Sequence, residues 1–71
     1  MDIEITGIIT DALFDDFLRL IELHGGGFFG QYNYSTIKGN LSADNAKKGS
    51  LETLMPFLES FCERRKLIFK K

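Results

Sequence analysis

The stretch "TDALFDDFLRLIELHGGGFFGQYNY", from Thr10 to Tyr34, carries a helix signal, a glycine corner and a strand signal in succession. Thr10 predicts the N-cap of the helix, because its hydroxyl can accept a hydrogen bond from an amide of the first turn. Gly25 stands where a left-handed residue ends a helix. The apolar residues between them recur at helical spacing and predict one buried stripe. That stripe consists of Phe14, Phe17, Leu18 and Ile21, widened by Leu13 and Leu20.

After the glycine corner, the residues alternate as in a strand. Phe28, Tyr32 and Tyr34 share one face, which we expect to be buried, and Phe29 and Gln31 share the other. In the following stretch "STIKGNL", the apolar positions change parity. This change predicts a turn or bulge between residues 33 and 36, and therefore a hairpin. If the whole segment is instead one bent strand, the sheet has three strands and not four.

The flanking segments supply the remaining elements. The start "DIEIT" alternates as a half-buried strand, and the end "KLIFKK" predicts a short strand with Leu67 and Phe69 on one face. The stretch "SLETLMPFLESFCERR" has helical periodicity. We expect this helix to begin near Thr53, which leaves Pro56 in the first turn, where its missing N–H is harmless. The polar stretch "SADNAKKGS" predicts a loop, with room for one helical turn after Ser42.

The element order β-α-β-β-α-β predicts a single α+β domain over residues 1–71. Its expected architecture is a ferredoxin-like sandwich, with two helices on one face of a small antiparallel sheet. In that arrangement the first and last strands are neighbours. Asp2 and Glu4 then share the uncovered face with Lys66, Ile68 and Lys70, so that opposite charges lie across adjacent strands.

Composition limits the class of protein. The chain has 71 residues, of which 44% are hydrophobic, and seven Phe and two Tyr supply large side chains for a small core. A single cysteine excludes an internal disulfide, and the start "MDIEIT" has neither the basic residues nor the apolar run of a signal peptide. No segment reaches the length of a membrane span. We therefore expect a cytoplasmic protein that is not inserted in a membrane.

Charge is distributed unevenly along the chain. Residues 1–23 contain six acids and one Arg, a net charge of −5, whereas residues 24–71 contain eight bases and four acids, a net charge of +4. The total of −1 gives no overall field that attracts a polyanion. The asymmetry fits either an interaction surface or charges that neutralise each other across neighbouring strands.

Sequence motifs for catalysis and metal binding are weak. "HGGG", from His24 to Gly27, resembles the oxyanion loop of lipases and esterases, but the chain has no Gly-x-Ser-x-Gly and is too short for that fold. The three glycines fit two interpretations: a nest of backbone amides that binds an anion, or simply the end of a helix. Cys62 lies on an apolar stripe, which favours an inert thiol over a nucleophile paired with His24. We expect no catalytic residues, no cofactor and no metal.

Two family resemblances define alternative functions. The element order and the aromatic row Phe28, Tyr32 and Tyr34 resemble RNA-recognition motifs, which stack bases on sheet aromatics. The stretch "ITGIITDALFDDFLRLIELHGG" resembles the first strand and helix of ACT-like ligand-binding domains, over less than a third of the chain. The Pro-Gly that precedes the helix in that family is absent, and Ala12 and Leu13 occupy the corresponding stretch.

The surplus of aromatic residues favours a small non-enzymatic module that binds another protein or itself, as a homodimer or as an inhibitor of a larger protein. Nucleic-acid binding through sheet aromatics and the basic C-terminal segment is one alternative, and an ACT-like ligand sensor is another. The residues predicted to contact a partner are Phe29, Gln31, Phe57, Arg64, Arg65 and Ile68.

Overall fold

The computed structural model of the chain describes residues 1–43 and 50–71. Two helices and four strands occur in these residues, and all strand pairs are antiparallel. The predicted α+β fold with a four-stranded antiparallel sheet is therefore confirmed, and the three-stranded alternative is wrong. The elements are β1 (Asp2–Thr6), α1 (Asp11–Leu23), β2 (Gly26–Tyr32), β3 (Thr36–Ala43), α2 (Ser50–Arg64) and β4 (Ile68–Lys70).

The strand order across the sheet is β2-β3-β1-β4, so that β2 and β4 form the two edges. β1 and β4 are neighbours, as the sequence predicts, and Glu4 lies opposite Lys70 on β4 and Lys38 on β3. Asp2 instead lies opposite Asn40, whose amide donates a hydrogen bond of 3.0 Å to its carboxylate. Lys66 is not part of β4, because it adopts the left-handed conformation (φ 57°) before the strand begins.

Helix α1 has the predicted ends. The hydroxyl of Thr10 accepts a hydrogen bond of 3.0 Å from the amide of Leu13, which satisfies an amide of the first turn. Gly25 has φ +77°, a conformation that glycine adopts without a steric penalty, and it turns the chain from α1 into β2. Phe17 and Ile21 are buried at the centre of the predicted stripe. The glycine corner is therefore the end of a helix and the start of a strand.

The turn between β2 and β3 is built around the side chain of Asn33. Its carbonyl oxygen accepts hydrogen bonds from the amides of Ser35 (2.8 Å) and Thr36 (2.9 Å). The amide of Asn33 in turn donates to the carbonyl of Thr36 at 2.9 Å. These bonds form the turn without the Asn-Gly pair that is typical of a tight hairpin. The resulting register places Tyr32 opposite Ile37. The predicted turn between residues 33 and 36 is confirmed.

Two glycines allow β2 and β3 to approach closely. Gly30 lies opposite Gly39, and a Cβ added to Gly39 would lie 2.6 Å from the Cα of Gly30 and from the carbonyl oxygen of Phe29. The Cζ atom of Phe28 would lie 2.7 Å from the same Cβ. The ring of Phe28 thus occupies the space that side chains at this pair would need, a known way of covering glycines in a sheet.

Two predicted boundaries are wrong. Helix α2 begins at Ser50 and not near Thr53, so that Pro56 lies inside it and the carbonyl of Glu52 loses its usual i+4 donor. The longer helix includes Leu51, which packs against the core, and removal of its apolar side chain from water favours the earlier start. β3 continues through Ser42 and Ala43, which the sequence assigned to a loop. The helical turn considered after Ser42 falls mainly on residues 44–49, outside the described residues.

Both helices and the inward side chains of the sheet contribute to one hydrophobic core. The strands contribute alternate residues, as expected where one face of a sheet is covered. The opposite side chains of the same strands are exposed or half-buried. The core consists of Ile3, Ile5, Ile9, Phe17, Ile21, Ile37, Leu41, Leu54, Leu58, Phe61, Cys62 and Leu67.

Candidate interaction surface

The face of the sheet that points away from this core is called the open face. Its polar side chains form a row across all four strands, because the register aligns Gln31, Lys38, Glu4 and Lys70. Glu4 therefore lies between two lysines, and the row as a whole is electrically mixed. The open face consists of Asp2, Glu4, Thr6, Phe29, Gln31, Thr36, Lys38, Asn40, Ile68 and Lys70, with Gly27 and Ser42 at one end.

Two large apolar side chains interrupt this polar face, one at each edge of the sheet. Phe29 is the middle residue of β2 and is 88% exposed, and Ile68 on β4 is 59% exposed. Phe29 lies opposite Asn40, which is turned towards Asp2 by their hydrogen bond. The ring of Phe29 therefore has a polar neighbour on one side and the edge of the sheet on the other.

The two edges differ in charge. β2 has the sequence GGFFGQY over seven residues and contains no charged residue and no proline. β4 has three residues and contains Lys70, with Lys66 and Lys71 on either side of it. Lysines on an edge strand oppose pairing with another chain, whereas a long uncharged edge exposes unpaired backbone groups that can accept one.

The outward backbone groups of β2 follow from its pairing with β3. Asn33 donates to the carbonyl of Thr36, so its backbone groups point towards β3. In an antiparallel pair this direction alternates along the strand. The amides and carbonyls of Phe28, Gly30 and Tyr32 therefore point away from β3, and no hydrogen bond from a described residue reaches them.

The helix side of β2 packs on a group of aromatic rings. The ring centroid of Phe28 lies 5.2 Å from that of Phe17 in an edge-to-face arrangement, and Tyr32 stacks on Phe14 at 3.9 Å. The expectation that Tyr32 is buried holds only in part, because it is 38% exposed. The expectation for Tyr34 is wrong: it is 84% exposed, since β2 ends at Tyr32 and Tyr34 belongs to the turn.

A hydrogen bond ties the end of β2 to the start of α1. The hydroxyl of Tyr32 donates to Oδ1 of Asp11 at 2.7 Å. This bond raises the pKa of the Tyr32 hydroxyl above its ordinary value, and desolvation and the negative charge of Asp11 add to the shift. Asp11 is therefore more than a surface charge that matches the helix dipole, the role that its position in the sequence indicates.

The residues considered for nucleophilic chemistry have structural roles. Cys62 is buried in the core, and desolvation raises the pKa of its thiol to about 11, although Arg65 acts in the opposite direction. Such a thiol is protonated at neutral pH and is a poor nucleophile. The ring of His24 stacks on Phe57 with 4.1 Å between centroids.

The predicted contact residues do not form one continuous surface. Phe29 and Gln31 lie together on β2, and Ile68 lies on the opposite edge. Phe57 is 47% exposed on α2 beneath the ring of His24. The guanidinium of Arg65 lies 3.9 Å from the ring centroid of Phe61 and donates to the Phe61 carbonyl at 3.3 Å, while Arg64 is exposed on the same helix.

Another exposed apolar pair was not predicted from the sequence. Ile8, in the loop between β1 and α1, is 82% exposed, and Tyr34 belongs to the neighbouring turn. The two loops are joined by a hydrogen bond of 2.9 Å from the amide of Ile9 to the carbonyl of Tyr34. The hydrophobicity of the segment "GII" was visible in the sequence, but the meeting of the two loops depends on strand order.

Within residues 1–43 and 50–71 there is no group of three or more His, Cys, Asp or Glu side chains that could hold a metal ion. The helices in these ranges are too short or too polar to cross a lipid bilayer. Comparison of the chain with protein-family models, with curated proteins and with solved structures gave no match.

Proposed function

We propose that this chain is a small non-enzymatic protein-interaction module that contacts another protein chain through the β2 edge. The β2 edge is defined as strand β2 with the exposed side chains of Phe29 and Gln31. The observation that carries the proposal is the 88% exposure of Phe29 in the middle of an uncharged edge strand. Single exposed apolar residues are common on protein surfaces, but here a large ring adjoins unpaired backbone groups.

The rest of the molecule supports a binding role over a catalytic one. The thiol of Cys62 is protonated in the core, and the imidazole of His24 is stacked on Phe57. A single buried cysteine is also in keeping with the reducing cytoplasm, where we place the protein. We therefore place the function in surface contacts. Among the described residues, the β2 edge combines an exposed aromatic ring with unpaired backbone groups.

We also propose that the fold is ferredoxin-like, a split βαβ arrangement. Support comes from β3, which lies between β1 and β2, and from β1, which lies between β3 and β4. Because each neighbouring pair is antiparallel, β1 runs parallel to β2 across β3. The two helices share one core with the inward side chains of the sheet, which supports their placement on the same face.

The interaction function is tested by comparing Phe29→Ser with Ile68→Ser. Both substitutions remove an exposed apolar side chain from the open face, but at opposite edges. Wild type and both variants are used to capture proteins from the cells that make this chain, and each is sedimented over a range of concentrations. We expect Phe29→Ser to lose the bound protein or the self-association, and Ile68→Ser to retain it. A chain that sediments as a monomer at high concentration, with captured proteins unchanged by Phe29→Ser, contradicts the proposal.

Nucleic-acid binding is a second candidate, favoured by Lys38 and Lys70 on the same face as Phe29. The predicted aromatic row does not serve it, because Phe28 and Tyr32 pack on the rings of α1. A nucleic-acid binder loses affinity steeply as salt is added, and Arg64→Ala with Arg65→Ala weakens it. Absence of salt-sensitive binding to single-stranded RNA or DNA removes this candidate.

A further inference from the structure

The partner of the β2 edge follows from the backbone geometry and the side-chain sizes of β2. Its outward amides and carbonyls, at Phe28, Gly30 and Tyr32, form a row of unpaired groups to which another extended strand can hydrogen-bond. Residues 29–32 are all exposed, so no described residue covers this part of the edge. Addition of a strand to a free edge is a recurrent way in which proteins bind peptides and other chains.

We propose that this added strand is β2 of a second copy of the chain, paired antiparallel about a two-fold axis at Phe29. The proposal depends on the interaction function proposed above and names its partner. The two copies then share one continuous eight-stranded sheet, whose outer edges are the two β4 strands. Because the same surface is used by both copies, the contact closes at a dimer.

The sequence of β2 is self-complementary about Phe29. In the proposed register every large side chain except Phe29 lies opposite a glycine of the second copy, so that large and small residues alternate across the new pair. The two Phe29 rings meet on the open face and remove each other from water. The cross-copy pairs are Phe29 with Phe29, Phe28 with Gly30, Gln31 with Gly27, and Tyr32 with Gly26.

Neighbouring registers lack these features. A two-fold axis at Gly30 places Phe28 opposite Tyr32 and leaves Gly26 and Gly27 beyond the paired strand. An axis at Phe28 brings His24 and Gly25, which form the end of α1, into the pairing. The axis at Phe29 aligns all seven residues of β2, and it pairs the outward groups of Phe28 and Gly30 with each other.

The register predicts a distinctive disulfide between positions 27 and 31. Gly27 of one copy lies opposite Gln31 of the other, and the backbone groups of both residues point towards β3, as those of Phe29 do. They therefore form a pair without backbone hydrogen bonds, in which the Cα atoms lie about 4.5 Å apart, a separation that allows a disulfide. Residue 31 of one copy lies four residues along the strand from residue 31 of the other, about 13 Å away, which no disulfide spans.

The test compares the full-length double variant Gly27→Cys/Gln31→Cys with the single variant Gln31→Cys under mild oxidation. Both variants keep Phe29, so the apolar contact between the two copies is retained. The native Cys62 does not interfere, since it is buried. We expect about tenfold more disulfide-linked dimer from the double variant, because only the pair of residues 27 and 31 meets the required Cα separation.

A second measurement reports the backbone pairing directly. Hydrogen exchange of the amides of Phe28, Gly30 and Tyr32 in the wild-type chain is followed at low and high protein concentration. We expect slower exchange at high concentration for these three amides, because the second copy supplies their acceptors. The amide of Ile5 in β1 serves as the reference, since it lies in the interior of the sheet at both concentrations.

The outcomes separate this inference from the proposed function. Equal cross-linking of Gly27→Cys/Gln31→Cys and of Gln31→Cys, or exchange at Phe28, Gly30 and Tyr32 that does not depend on concentration, overturns the β2 pairing. If Phe29→Ser still abolishes binding of another protein in that case, the interaction function stands with a different partner. If the chain neither self-associates nor loses a partner on that substitution, both proposals fail.

Discussion

The two edges of this sheet have opposite designs, although both belong to one four-stranded layer. β2 is long, uncharged and rich in glycine, and it exposes Phe29 at its centre. β4 is short and contains or adjoins Lys66, Lys70 and Lys71. The difference indicates that β4 is protected against pairing with other chains and β2 is not. An edge left unprotected in a folded protein is a candidate for a contact.

The edges also differ in how the core supports them. β2 rests on Phe14 and Phe17 through the rings of Phe28 and Tyr32. β4 contributes Phe69, which is half-buried, and the preceding Leu67 is buried. The charge of Lys70 lies opposite Glu4 and attracts β4 to β1, whereas β2 contains no charged residue. We therefore expect the β2 edge to be sensitive to aromatic packing and the β4 edge to charge.

The largest effect is expected for Phe17→Ala. Phe17 is fully buried and its ring lies against Phe28, so its removal leaves a cavity directly beneath β2. We expect the free energy of unfolding to fall by about 3–5 kcal/mol, measured by urea denaturation. The control is Leu23→Ala on the same helix, which is 76% exposed and should change stability by less than about 0.5 kcal/mol. A small effect of Phe17→Ala contradicts the aromatic support of β2.

The next effect tests the close approach of β2 and β3. A Cβ at Gly39 meets backbone atoms at 2.6 Å, and these atoms cannot move without shifting a strand. We expect Gly39→Ala to lower the free energy of unfolding by about 1–3 kcal/mol. Gly27→Ala on β2 is the matched control, because its Cβ meets only the Ser42 hydroxyl, at 3.2 Å. Equal effects of the two substitutions would show that the close contact at Gly39 is not what requires glycine.

Lys70→Ile tests whether charge protects the β4 edge. The substitution removes the attraction across the strands to Glu4, which is expected to cost about 0.2–1 kcal/mol, and it leaves β4 without a charged residue. We expect sedimentation to show species larger than a dimer, because both edges can then pair. Lys38→Ile removes a charge opposite the same Glu4 from an interior strand and should add no larger species. If the two variants behave alike, Lys70 does not protect this edge.

The parts of the fold that were predictable from sequence are those fixed by local chemistry. Thr10 and Gly25 set the ends of α1, and the change of parity after Tyr34 located the turn. Pro56 was misplaced because its local hydrogen-bond cost was counted without the packing of Leu51 against the core, a tertiary gain that the sequence does not display. Tyr34 continues the alternation in the sequence, but the side chain of Asn33 has already ended the strand.

The candidate surface was only partly predictable. The outward direction of Phe29 and Gln31 follows from alternation along the strand, which is local. That β2 is an edge follows from the strand order, which depends on how β1 inserts between β3 and β4. The same reason explains why Ile8 was missed, because its exposure next to the turn arises where two distant loops meet.

The smallest effect concerns the bond between the end of β2 and α1. At the end of β4 the corresponding contact is an exposed ion pair, in which Nζ of Lys71 lies 4.0 Å from the carboxylate of Glu59 on α2. Because the hydroxyl of Tyr32 donates to Asp11, its pKa is higher in the folded state than in the unfolded chain. Its contribution to stability is therefore fully present below the ordinary tyrosine pKa of about 10 and is lost as pH rises beyond it. We expect unfolding curves of Tyr32→Phe to depend less on pH in this alkaline range than those of wild type. Tyr34→Phe removes a hydroxyl from the adjacent turn but keeps the bond to Asp11, so it should retain the wild-type dependence. If Tyr32→Phe shows the same alkaline loss as wild type, the bond does not stabilise the β2 edge, which then depends on ring packing alone.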